Sequence, residues 1–238
     1  MKKYPFLDRT PTRKKQDDYS GVAKPFNPLT FDSANLIALY NGDSLNPFVQ
    51  IIWVDDSTNA FDLTLVGAPT RINGAINGHA ALRFDGVSQE AQQAIISLSQ
   101  PTTIYFVIKQ ITWTIGRRLF AAGLADDVLT VRVEAISPEL FLFAGAGGLF
   151  TNPNIPLNTY DILTVIFNGA NSVIRTNDNA GVIGNGGANN PAVGLNLASR
   201  GGIDFGNQEI AYLIIRSAAD STATQNLFIN YLKNRFAL

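Results

Sequence analysis

The sequence predicts an all-β fold: a layered antiparallel sandwich, closed by one C-terminal helix and preceded by an extended arm. Three observations predict it. Thirteen short apolar runs recur along the chain, most with the two-residue period of a strand. The segments between them are turn formers, among them Asn41-Gly42-Asp43, Asn73-Gly74, Asn77-Gly78, Asp85-Gly86 and Asn168-Gly169, with 177–181 and 184–190. Only after Thr222 does the spacing become that of a helix.

The arm comes first. Residues 1–28 hold seven basic residues against three aspartates, a net of +4, with Pro5, Pro11, Pro25 and Pro28 and no apolar period. The other 210 residues hold eleven basic and sixteen acidic, a net of −5, so the overall charge of −1 averages two unlike parts. A proline-rich basic segment rarely orders in isolation, and the start is too polar for a secretory leader. Its expected task is to order on a partner through Lys2, Lys3, Tyr4, Phe6, Arg9, Arg13, Lys14, Lys15 and Tyr19, adding a strand to an edge or threading a groove.

The body, 29–238, has no internal linker and no fixed repeat, which makes it one domain. Its candidate strands are 36–40, 48–53, 61–66, 80–84, 94–98, 102–109, 118–122, 129–135, 139–144, 162–167, 172–176, 192–198 and 209–215. The run 102–109 is apolar on both faces until Lys109, as a central strand covered on two sides must be. In 129–135, Leu129, Val131, Val133 and Ala135 alternate with Thr130, Arg132 and Glu134, which leaves one wet face. Together they describe two stacked sheets. Leu227, Phe228, Tyr231, Leu232 and Phe236 outline the helix; Thr222 and Gln225 suit a capping box, and Lys233 and Arg235 suit the negative end of the dipole.

Composition excludes several chemistries. With 46% hydrophobic and 16% charged residues the chain can bury a core without crosslinks, and with no cysteine it has no disulfide, thiolate metal site or cysteine nucleophile. A net charge near zero gives no positive field for nucleic acid, and no apolar run reaches the roughly 20 residues of a membrane span. His79 is the only imidazole and follows a turn, which points to a structural role. The glycine runs 145–148 and 181–187 lack the lysine and hydroxyl residue of a phosphate loop, so no nucleotide cofactor is implied.

Several local words in order resemble the concanavalin A-like lectin and glucanase superfamily, in particular the laminin-G-like jelly-roll modules of bacterial surface proteins and phage structural proteins. They are the opening strand 36–40; Trp53, Asp55, Asp56, Ser57 and Asn59; Asn77-Gly78 with Arg83, Phe84, Asp85 and Gly86; the strands 103–108, 162–168 and 209–215; and the helix end 231–238. The resemblance covers residues 30–238 and implies a concanavalin A-like jelly-roll sandwich. It also implies framework roles for the stretches at 53–59 and 77–86. No metal site is assigned, though the oxygens of 53–59 are of the kind calcium takes.

Some members of that superfamily cleave β-glucans with alternating carboxylates on one strand. Here Glu134 is separated from Glu139 by Pro138, the central aspartate is absent, and Asp126 and Asp127 are adjacent, so the paired geometry is missing and the expectation is that the chain is not an enzyme. Sugar-binding candidates are the amides Asn152, Asn154, Asn185 and Asn189, with Phe150 and Tyr160 flanking the first loop; Trp113 reads as core. The favoured expectation is a structural protein of a virion, such as a phage capsid, head fibre or tail component. It would be homo-oligomeric and anchored to other proteins of the assembly by its arm. The alternative is a lectin-like module for a cell-surface polysaccharide, located at a bacterial surface or outside the cell.

Overall fold

The computed structural model describes residues 25–48, 51–123, 128–134, 139–145, 147–150, 155–191 and 193–238. All nine residues named for the arm contact lie outside them. The fold is all-β, two eight-stranded antiparallel sheets with one helix at the C-terminal end.

The first sheet runs β14(Val182–Gly184), β13(Ser172–Thr176), β12(Tyr160–Phe167), β7(Thr102–Gln110), β16(Asn207–Arg216), β5(His79–Asp85), β4(Thr70–Ile76), with β1(Leu36–Asn41) also paired to β16. The second runs β11(Leu149–Phe150), β10(Leu140–Phe143), β9(Val128–Val133), β8(Arg118–Ala122), β15(Leu195–Leu197), β6(Glu90–Gln93), β3(Leu63–Val66), β2(Ile52–Trp53). Ile104, Phe106 and Ile108 of β7 fill the core between the sheets, where they meet Phe120, Leu163 and Leu213. Tyr105 and Val107 point the other way and are covered by Phe228, Leu232 and Phe236 of α1(Thr222–Phe236). The central strand is thus buried on both faces, as its unbroken apolar run requires.

Several elements differ from the sequence expectation, and β4, β6, β11 and β14 all lie outside the expected strand runs. Asn73-Gly74 is not a turn; it sits inside β4, where the register against β5 shifts between Ile72 and Ile76, and the two-residue turn is Asn77-Gly78. Both turn residues have positive φ, 46° and 89°, the geometry that closes a right-twisted hairpin. The run 94–98 is not a strand. Its buried residues, Ile96 and Leu98, enter the core from an irregular segment, so their alternation reports burial and no ladder. On α1 the buried positions are Gln225, Phe228, Ile229, Leu232 and Phe236, whereas Leu227 is exposed.

The helix is capped one residue earlier than the sequence suggests. Ser221 Oγ accepts from Thr224 N, and the Gln225 amide donates to Asp220 O at 3.0 Å instead of completing a capping box. Before β1, Phe26 and Phe31 pack against the helix, with Phe26 at 5.0 Å edge-on to Phe228 and 5.9 Å from Tyr231.

Candidate functional site

β10 reads Leu140, Phe141, Leu142, Phe143. The strand period sends the two leucines into the core and leaves both phenylalanines on the opposite face, where each is half-buried. Their rings lie 6.1 Å apart at 21°. Arg132, the register partner of Phe141 on β9, spans the pair with its guanidinium 4.9 Å from one ring centroid and 5.4 Å from the other. Glu134 accepts from Arg132 Nε at 2.5 Å, which orients the fork. Gly148 makes this packing feasible, since a Cβ there would fall 1.9 Å from Phe141 Cζ.

The loop after β14 packs onto the β10–β11 connection. Gly148 N donates to Asn185 O at 3.0 Å, Asn189 N to Ala144 O at 3.1 Å and Ala144 N to Gly186 O at 2.5 Å. Gln100 ties the same loop to the sandwich: its amide donates to Gly187 O and Asn189 O, and its Oε1 accepts from Gly169 N at 2.6 Å. Asn185 and Asn189 are exposed on this braced loop. Aromatic rings and amide groups therefore share one edge of the sandwich, the first able to cover apolar ring faces and the second to bond hydroxyls.

The predicted site residues divide. Asn185 and Asn189 belong to this edge, and Phe150 pairs in register with Phe141, its side chain lying outside the described residues. Asn152 and Asn154 lie outside them too. Tyr160 is elsewhere, at the start of β12, while the loop at 168–171 that meets Gly186 follows the end of the same strand. It closes a row across four strands, Arg83, Glu209, Lys109, Tyr160, fixed by register. Tyr160 Oη donates to Glu209 at 2.5 Å, Lys109 and Arg83 bind the same carboxylate at 2.6 and 2.9 Å, and Lys109 lies 4.7 Å from the Tyr160 ring centroid. Burial and the hydrogen bond to the Glu209 carboxylate push the phenol far above its usual range. Burial also opposes ionisation of Glu209, but hydrogen bonds from Lys109 and Tyr160 outweigh it and hold that carboxyl below its ordinary value. Phe141 and Phe143 escaped the sequence reading because a Leu-Phe-Leu-Phe run looks apolar on both faces, and Arg132 reads there only as part of a wet face. The available signal was the aromatic pair two residues apart.

The other chemically suggestive residues serve the frame. Asp55 accepts from Leu39 N, Ser57 N, Ser57 Oγ and Phe61 N, so the acidic stretch at 53–59 is engaged in backbone bonding. His79 sits between Asp43 Oδ2, 2.7 Å from Nδ1, and Arg235 O, 3.0 Å from Nε2, and joins β5 to the end of α1. Trp113 packs on the core and donates to Glu134 O. Among the described residues, no three His, Asp or Glu side chains are grouped as a metal ion would need.

No protein-family model matches the chain, and no curated protein matches it. Solved structures do. A Trypanosoma rangeli sialidase, in complex with a 2,3-difluoro-nononic acid, aligns with a TM-score of 0.64 at 12% identity over 90% of this chain and 37% of that one. Domain 4 of AbnA, a GH43 extracellular arabinanase from Geobacillus stearothermophilus in complex with arabinotriose, aligns at 0.62 with 17% identity, over 81% of this chain and 98% of that one. The receptor-binding domain of botulinum neurotoxin mosaic serotype C/D aligns at 0.58 with 9% identity, over 83% and 51%. The chain shares their fold.

At such identities the likeness concerns the fold alone, and the chain spans little more than a third of the sialidase. It nevertheless corrects one expectation and leaves another without support. The chain was expected not to be an enzyme. That exclusion does not stand, because the fold recurs in chains described as a sialidase and as part of an arabinanase. The missing alternating carboxylates rule out one glucanase geometry and no more. The favoured virion role gains no support from these three structures, none of which is described as a phage or virion protein.

Proposed function

We propose that the protein is a carbohydrate-recognition module, acting on a glycan at a cell surface or in the extracellular space. The observation that carries this reading is the Phe141–Phe143 ring pair, clamped by Arg132, on a strand whose connection to β11 is bonded by the Gln100-braced loop that carries Asn185 and Asn189. Rings held at fixed spacing offer a platform for the C–H faces of pyranose or furanose residues, and loops tied before binding lose little entropy on it. Support also comes from the sandwich shared with an arabinanase domain described in complex with arabinotriose and with a sialidase described in complex with sialic acid. The finer kinship, to concanavalin A-like lectins, is part of the same proposal, as is the extracellular setting.

The test is binding of the full chain to a panel of immobilised polysaccharides, arabinan, β-glucan and sialylated glycans among them, beside a Phe141→Ala/Phe143→Ala variant. Each ring contact is worth about 1 kcal/mol, so the double variant should bind its best glycan on the order of thirtyfold more weakly with its melting temperature little changed. Unaltered binding by that variant, or no binding by the wild type to any panel member, would overturn the reading.

A further inference from the structure

A second feature lies on the neighbouring edge of the first sheet. A pocket of about 350 Å³ opens between β13, β14, the turn at 178–181 and the first two turns of α1. Arg175 lines it and is only 6% exposed. Its guanidinium donates from Nη1 to Gln225 Oε1 at 3.3 Å and from Nη2 to Asn226 Oδ1 at 3.0 Å, both neutral amide oxygens, and Nε has no partner. Arg118 and Arg216, the other arginines buried to this degree, each pair with a carboxylate: Arg118 with Asp204, Arg216 with Asp32 and Asp220. Arg175 makes no ion pair among the described residues. Asp178 is the acidic residue of the lining; it is largely exposed and bonds Lys233 at 3.0 Å, while Arg175 attracts it more weakly without an ion pair.

A buried guanidinium with no carboxylate in bonding contact is costly, and its planar fork matches a carboxylate better than any neutral group. The positive end of α1 adds to the field, since Thr222 and Asn226 line the same pocket. The rest of the wall is suited to a sugar ring: Asn179 and Thr222 for hydroxyls, Val173 and Ile183 for an apolar face. Gly181 keeps the floor clear, because a Cβ there would approach Val173 Cγ1 to 2.7 Å.

We infer that this pocket binds the carboxylate of an acidic sugar residue, with Arg175 as the anchor. The anionic part rests on Arg175; the sugar part rests on the carbohydrate reading above. β14, which lines the pocket, touches β11 of the other sheet, the neighbour of the aromatic strand.

The test is calorimetric titration of the full chain at low salt with sodium glucuronate, N-acetylneuraminate, glucose and acetate, for the wild type, Arg175→Gln and Asn226→Asp. The last variant is the decisive one. It places a carboxylate where an amide oxygen already accepts from Arg175, so it neutralises the guanidinium while preserving the contact. Glucuronate or N-acetylneuraminate should bind at least tenfold more tightly than glucose or acetate, and whichever is tighter identifies a uronic or a sialic acid as the ligand. Both variants should lose that preference, Asn226→Asp with no fall in melting temperature. An acidic sugar held no better than glucose, or a preference that survives in Asn226→Asp, would overturn the site. Acetate held as tightly as the acidic sugars would retain the anion site and defeat the sugar assignment, a result separate from the polysaccharide test of the aromatic edge.

Discussion

Glu209 shows how one side chain acquires a task that its sequence neighbours do not hint at. It is almost wholly buried on β16, and it ionises there because Arg83, Lys109 and Tyr160 converge on it from three other strands. A carboxyl held below its ordinary value of 4.5 contributes stability that is present above that pH and is lost as the pH falls through its folded value. Replacing it with Gln should cost about 3 kcal/mol at neutral pH, because Lys109 loses its counter-charge. The gap between wild type and Glu209→Gln should narrow when denaturation is followed downward in pH below the ordinary carboxyl value of 4.5. A gap independent of pH would show that the row stabilises through packing alone. Tyr160 belongs to this row, and so a residue that looked like a sugar platform spends its hydroxyl inside the protein.

At the scale of elements, the strand period and the turn residues were largely readable. Thr102, Arg118 and Ser172 open strands where the alternation places them, and the helix begins at Thr222. The errors have one origin. Asn73-Gly74 and Asn77-Gly78 are equal as sequence words, yet one is a kink within β4 and the other a hairpin turn, and only pairing with β5 distinguishes them. Ile96 and Leu98 alternate as a strand would but have no ladder partner. The helix cap is a third case, since Ser221 and Thr222 are both good caps and the fold uses the first. Ser221→Ala should therefore cost about 1 kcal/mol of stability, whereas Thr222→Ala should cost much less, as thermal unfolding of the two variants would reveal. Equal losses would place the cap elsewhere.

At the scale of the molecule, the helix is a third layer fastened at both ends. His79 and Asp43 hold its C-terminal end, with Asn77 donating to Phe236 O. Arg216 fastens the other, bonding Asp220 at 2.8 Å and Asp32 at 2.8 Å while its guanidinium lies over Phe31 and Phe228. It links the last strand, the segment before the first strand and the helix start. Arg216→Met leaves Asp220 buried and uncompensated, and should lower stability by about 3–5 kcal/mol. In a chain of this length that is a fall in melting temperature on the order of 10 °C. A change of only a degree or two would mean that hydrophobic cover by Phe228 suffices.

The two candidate sites lie at the edges where β11 and β14 meet, between residues far apart in the chain. Period, turn chemistry and composition determine by themselves that this is a two-sheet β protein with a terminal helix and no thiol chemistry, because those signals act within a few residues. Which aromatic face stays wet, which amide loop meets that edge and which buried arginine lacks a bonded carboxylate were decided only by the tertiary structure. Strand order brings Arg132 over Phe141 and leaves Arg175 with amides alone, and strand order is a long-range property that no local pattern encodes.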